Sequence, residues 1–261
     1  VRSCLRLRGS GPTPSTGPTH EAGEDTYQQG GHVQAHGSRV LLLFSGPKRG
    51  EDGLAASLSK FGFAPTQVDV LFHPACDLFT NTELFENLMV SAYDGQFCAL
   101  IAAPPCSTFS VARLPMNGST DGPGQVRGRS EDLIMGLPDL NEGAAKRVHE
   151  ANTLIERMVR LAVVIYRSGG VFIIENPVDR GDPDTEFYRG FWAEHATMWL
   201  MPCILGLRKL CCTTLSTFAQ CGLGSPYQKY TSILYSAELH VGLSGILKSV
   251  CTHEYHDAVA W

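Results

Sequence analysis

Four short apolar runs limit what this chain can fold into. Residues 40–44, 67–72, 97–102 and 171–174 are strand-length stretches, and each runs into turn formers or an isolated polar residue. Between them the spacing changes. Residues 51–61 carry Leu54, Leu58 and Phe61 at helical intervals, residues 83–92 carry Leu84, Leu88 and Met89, and Gly62 closes the first of these segments. Residues 142–167 read as one long helix with Val148, Ile155, Val159, Ala162 and Val163 in its stripe, ended by Gly169-Gly170. Apolar strands alternating with helices predict an α/β domain, its mostly parallel sheet covered by helices on both faces. Residues 213–219 and 231–235, flanking Gly224-Ser225-Pro226, read as a closing antiparallel pair.

The 261 residues suffice for one sizeable domain, and 43% hydrophobic content suffices for its core. Residues 1–38 differ in texture. Gly, Pro, Ser, Thr and His dominate there without periodicity, which predicts a disordered tail ahead of a folded domain over 39–261. A net charge of -5 and a pI near 6.0 exclude a broad basic field, so any hold on nucleic acid must come from a local patch or a partner. Nine irregularly placed cysteines in a chain of this size point to a reduced, intracellular protein. No apolar run reaches the roughly 18 residues of a membrane span, so no membrane association is expected.

Open α/β sheets bind ligands beyond the C-terminal ends of their strands. All four apolar runs carry unusual residues there: Phe44-Ser45-Gly46, Asp69, Pro104-Pro105-Cys106 and Glu175-Asn176-Pro177. Gly46 lets the backbone approach a ligand, or simply makes a tight βα turn. Asp69 sits where nucleotide-binding folds place an acid on ribose hydroxyls, or is an unrelated surface acid. Two prolines stop the third strand and present Cys106 on a stiff corner, as suits a thiolate nucleophile. The competing reading is a small cysteine filling the core. Glu175, directly after four apolar residues, needs a partner. That partner is a ligand to which it acts as general acid, or Arg180 or Arg189 in an ion pair.

These elements, in this order, resemble the DNA cytosine-5 methyltransferases, with Pro105-Cys106 and Glu175-Asn176 the specific matches. The resemblance covers about three-quarters of the chain. It implies a Rossmann-like methyltransferase fold, S-adenosylmethionine as cofactor, and methyl transfer to C5 of a flipped-out cytosine, in DNA rather than RNA. It also implies Cys106 as the nucleophile and Glu175 as the acid. Phe44, Gly46, Asp69, Asp77 and Pro104 would line the cofactor site. Residues 107–141 would form a mobile loop closing over the base. Ser107, Arg113, Arg127 and Arg129 from that loop, with Asn176 and Lys229, would contact the substrate.

The chain also departs from the family. Pro47-Lys48-Arg49 interrupts the glycine-rich cofactor loop, and a Gln-x-Arg-x-Arg motif is replaced by Tyr227-Gln228-Lys229-Tyr230-Thr231. Lysine replaces the first arginine only as a point charge. About 25 residues follow the last strand, too few for a target-recognition domain, so recognition would fall to a separate subunit or domain. A catalytically lapsed scaffold module in a nucleic-acid-processing or mobile-element protein is the alternative reading. Finally, Cys221, Cys251, His253 and His256 make a candidate tetrahedral zinc set, against the alternative of unrelated core and surface residues.

Overall fold

The computed structural model of the protein describes residues 37–47, 50, 51, 53–114, 123–245, 247, 250–252, 258 and 259. Of the predicted tail only Gly37 and Ser38 fall within these. Strands β1 (Arg39–Leu43), β2 (Ala64–Val68), β3 (Ala99–Ala102), β4 (Val171–Pro177), β5 (Thr213–Ala219) and β7 (Tyr230–Ser236) form a six-stranded sheet of order β2-β1-β3-β4-β7-β5. The first four run parallel, and β7 is antiparallel to both β4 and β5. A separate two-residue pair joins β6 (Tyr227–Gln228) to β8 (Ala258–Val259). This is the Rossmann-like, mostly parallel α/β sheet expected from the sequence.

One face of the sheet carries most of the core. Leu41, Leu43, Leu100, Ala102, Phe172, Ile174 and Leu234 pack there with the helices α2 (Thr82–Tyr93), α3 (Glu142–Arg167) and α4 (Pro202–Leu210). Helix α3 starts where the Asn141 side chain accepts from the Ala144 N–H, and ten of its residues are buried. Burial of each large apolar side chain is worth about 1.5–3 kcal/mol, so packing rather than propensity holds the helix. Gly170 follows because a Cβ there would sit 3.0 Å from the carbonyls of Phe97 and Cys98.

The other face is covered unevenly. Ile173, Phe218, Ile233 and Tyr235 pack with Leu239, Leu243 and Leu247 around the short α5 (His240–Leu243). Helix α1 (Leu54–Lys60) lies along β2 but buries no residue, so the predicted stripe of Leu54, Leu58 and Phe61 is not a core face. Phe61 is 82% exposed. The stretch after β3 also differs from expectation. Its described parts are packed rather than open, with Phe109, Val126 and Ile134 buried.

Candidate active site

The strand order reverses between β1 and β3, because β2 lies on one side of β1 and β3 on the other. Such a switch point opens a crevice beyond the strand ends. A cleft of about 150 Å³ occupies it, lined by Phe44, Asp69, Val70, Leu71, Asp77 and Pro105 among others. Phe44 has a φ of 59°, a left-handed conformation that is a true outlier for a bulky residue, and Gly46 follows at 77°. Asp69 holds this turn. Its Oδ2 accepts from the Gly46 N–H at 2.8 Å, and its Oδ1 accepts from the Leu71 N–H at 2.7 Å. An added Cβ on Gly46 would meet nothing within 4 Å, so the loop leaves open space on its ligand side.

Asp77 shapes the lower lip. Burial works to raise its pKa, but hydrogen bonds from the Thr80 hydroxyl and the Phe79 and Thr80 N–H groups, with Arg157 nearby, hold it below the ordinary carboxylate range. Pro104 is buried, and Pro105 lines the cleft in its place. The cleft is smaller than the roughly 300–1,000 Å³ of typical cofactor pockets.

Cys106, Glu175 and Lys229 meet at the ends of β3, β4 and β7. Glu175 Oε1 accepts from the Thr231 hydroxyl at 2.9 Å and from Lys229 Nζ at 3.4 Å. Glu175 and Thr231 reach each other diagonally across the antiparallel β4–β7 ladder, where Pro177 faces Thr231. Gln220 donates in turn to the Thr231 hydroxyl at 3.1 Å. Burial pushes the Cys106 thiol up, Lys229 opposes that shift, and Glu175 adds to it. Cys106 therefore rests as a protonated thiol beside one cation and one anion.

The remaining substrate candidates divide. Ser107 is exposed beside Cys106, and Lys229 belongs to the cluster. The others turn into the protein. Asn176 is 1% exposed, and its Nδ2 donates to the Pro104 carbonyl at 3.2 Å, tying the Pro-Pro-Cys corner to β4. Arg127 is also 1% exposed, donating to the Thr108 hydroxyl and the carbonyls of Ile134 and Val148 beneath the Phe109 ring. Arg129 forms a bidentate pair with Asp179 at 2.7 and 2.8 Å, and Arg113 donates to the carbonyls of Gly124 and Pro123. The donors of all three arginines are occupied within the protein, by backbone carbonyls and by Asp179.

One residue the sequence did not single out ties these pieces together. His195 is 2% exposed, and its Nδ1 accepts from the Arg180 N–H at 3.0 Å. Its Nε2 lies 2.7 Å from the Phe109 carbonyl, to which it donates. That pattern suits the neutral ring and bridges the segment after Cys106 to the segment after Glu175. A lone histidine in an aromatic-rich stretch offers no motif that would have flagged it.

The zinc expectation gains no support. His253 and His256 lie outside the described residues, and among the described residues no three metal-ligating side chains converge. Among the described residues, too, no helix is long and apolar enough to cross a membrane.

No family model matches the chain, and no curated protein matches it. Solved structures with a similar fold include the Entamoeba histolytica methyltransferase EhMeth, at 9% identity and a TM-score of 0.33 over 78% of this chain and 53% of that one. The S. pombe Dnmt2 methyltransferase aligns at 10% identity and a TM-score of 0.37, covering 84% and 58%. A mutant Spodoptera frugiperda DNMT2 aligns at 12% identity and 0.34, covering 86% and 54%. The chain thus spans little more than half the length of these structures.

Proposed function

We propose that this chain methylates C5 of cytosine in nucleic acid, DNA rather than RNA, using S-adenosylmethionine and a transient bond to Cys106. The observation that carries the reading is the meeting of Cys106, Glu175 and Lys229 at adjacent strand ends, joined through Pro105 to the switch-point cleft. The residues lining the cleft suit the parts of a nucleoside: Asp69 for hydroxyl groups, exposed Val70 and Leu71 for an apolar ring, and the open side of Gly46 for close backbone approach. When bound there, S-adenosylmethionine supplies an electrophilic methyl group.

The cluster's own chemistry is a question of where one proton sits. At rest the proton is on Cys106, and Glu175 is the acceptor of two hydrogen bonds. Attack on C6 of a cytosine needs the reverse, a thiolate and a Glu175 able to donate to ring N3. Neutralising Glu175 also removes its opposition to the thiolate, so the two changes favour each other, while Lys229 stabilises the anion. As sulfur bonds to C6 and N3 takes the proton, C5 becomes nucleophilic. After methylation, loss of the C5 proton expels the Cys106 thiolate.

A catalytically lapsed binding module is the second reading, and Asp69 favours it. Both carboxylate oxygens already accept N–H groups of their own loop, leaving less capacity for a ribose. One experiment separates the two. DNA bearing 5-fluorocytosine cannot lose a C5 proton, so an active enzyme becomes trapped on it through Cys106 when the cofactor is present. Cys106→Ser should abolish trapping while calorimetric binding of S-adenosylmethionine persists. Cofactor binding with no adduct on any cytosine-containing DNA or RNA would leave the lapsed module standing.

A further inference from the structure

Arg180 is a buried cation without a counter-ion. It is 9% exposed, and its backbone is fixed at both ends. Its N–H donates to His195 Nδ1 at 3.0 Å, and its carbonyl accepts from the Arg189 N–H at 3.1 Å. The guanidinium carbon lies 5.2 Å from the Tyr230 ring centroid and 5.7 Å from that of Trp192. Aromatic faces attract a cation but offer no lone pairs to its five N–H donors. Among the described residues nothing accepts a hydrogen bond from that guanidinium, and no carboxylate pairs with it. Its neighbour Asp179 is committed to Arg129 and the Gly181 N–H, and Glu175 accepts from Lys229 and Thr231 instead. Buried charges are as a rule paired, and an arginine cannot shed its charge to escape the cost.

Arg180, Lys229 and Tyr230 line one crevice, whose other walls are apolar apart from His195. No carboxylate borders it, and both ring nitrogens of His195 are already engaged. The crevice encloses about 10 Å³, room for one atom the size of a water oxygen. The unpartnered nitrogens of Arg180 keep some access to solvent. Lys229 belongs both to this crevice and, at 3.4 Å from Glu175, to the cluster that holds Cys106. Burial and the nearby Arg189 charge press the Arg180 pKa down, and only the Tyr230 phenol works the other way. The site therefore lacks a negative charge of its own.

We propose that Arg180, with Lys229, holds a single backbone phosphate of a nucleic-acid strand, one adjoining the nucleotide presented to Cys106. The inference rests on the nucleic-acid reading of the cluster, but not on methyl transfer. One phosphate oxygen fills the notch beside the guanidinium, whose planar fork suits it, and Lys229 adds a point charge. A chain of net charge -5 has no broad basic field, so a local site of this kind is the form its hold on a strand can take.

The test uses the whole chain without cofactor and a fluorescein-labelled single-stranded DNA 12-mer containing one cytosine. Fluorescence polarisation across a salt series measures the affinity. Arg180→Gln should weaken binding at least about tenfold at low salt, as expected for one lost charged hydrogen bond. Its slope of log affinity against log salt should be shallower by about 0.7, the mark of one phosphate on a single strand. Arg180→Lys should keep the wild-type slope and recover part of the affinity. A single neutral methylphosphonate walked along the 12-mer should weaken the wild type at one position beside the cytosine, and Arg180→Gln should be indifferent there. Wild-type affinity and slope in Arg180→Gln would overturn the proposal. So would a wild-type scan with no sensitive position, which decides the matter even if the variants fail to fold. Displacement of the 12-mer by millimolar inorganic phosphate at fixed ionic strength would assign the site to a free ion and overturn the strand assignment. Arg180-dependent binding in a protein that never forms the 5-fluorocytosine adduct would sink methyl transfer alone. An adduct in a protein whose binding ignores Arg180 would sink this site alone.

Discussion

Replacing Arg127 by methionine tests whether the stretch after Cys106 is a built part of the site. Arg127 donates to the Ile134 carbonyl at 2.7 Å and to the Thr108 hydroxyl at 3.1 and 3.2 Å, and its guanidinium lies 4.0 Å from the Phe109 ring centroid. Charged hydrogen bonds are worth about 1.5–3 kcal/mol each, and a desolvated cation–π contact about 2. Counting the Ile134 bond, the Thr108 pair as one bond, and the ring gives roughly 5–8 kcal/mol lost. Against this stands the burden of holding the charge. Burial lowers the pKa to about 10, which corresponds to about 3 kcal/mol recovered when the charge is removed. Methionine fills most of the volume, so the net expectation is a loss of about 2–5 kcal/mol of stability. Urea unfolding followed by tryptophan fluorescence measures it as a lower midpoint at unchanged slope. Because Thr108 and Phe109 lose their anchor, alkylation of Cys106 should also quicken under native conditions. Unchanged or raised stability would refute the clamp. If the variant instead kept its stability and lost only nucleic-acid affinity, Arg127 would be a substrate contact after all.

Three further outcomes follow from the same geometry. Asp69→Asn places an amide donor against one of two N–H groups, and should cost about 1.5–3 kcal/mol in urea unfolding; an unaltered midpoint would show that the Gly46 turn does not depend on it. For Asp179, burial works to raise the pKa, but hydrogen bonds from Arg129 and the Gly181 N–H hold it below the ordinary 3.8. Its contribution is therefore full above the unfolded value and lost as pH falls through the folded one. The stability gap between wild type and Asp179→Asn should be open at neutral pH and close in acid, and a gap independent of pH would contradict this. For Cys106, peptide-resolved iodoacetamide alkylation at mildly alkaline pH should slow in Lys229→Met and quicken in Glu175→Gln; the reverse order would sink the electrostatic account.

The sheet was legible because apolar runs ending in turn formers mark buried strands, and 213–219 and 142–167 came out with the observed bounds. The second strand was read too late. Val70, Leu71 and Phe72 extended the apolar run, yet they are 53%, 69% and 37% exposed and Val70 and Leu71 line the cleft. The true strand begins Ala64-Pro65, and a proline there is tolerated because β2 is the edge of the sheet. Cys106 and Glu175 were legible as a pair since neighbouring parallel strands must end side by side. The arginines were not. A guanidinium bonded to the carbonyls of Ile134 or His195 leaves no trace in a side-chain pattern, so Arg127 and Arg129 looked like free charges in a polar loop. Lys229 and Thr231 were noticed as departures from a family motif, but that both bind Glu175 depended on the ladder register of β7.

The reversed strand divides the cluster into two parts with different freedom to change. Cys106 and Glu175 hang from β3 and β4, whose neighbours are set by long crossovers through α3, so their spacing is stiff under sequence drift. Lys229 and Thr231 arrive on the return arm of an antiparallel pair, where the residues between β5 and β7 set the register. A shift of one residue would swap the two faces of β7, removing Thr231 from Glu175 and presenting Ser232 instead, while Cys106 stayed where it is. Lengthening or shortening the stretch 220–229 is therefore the economical route by which a lineage, or an engineer, could retune the acid's surroundings while leaving the thiol corner intact.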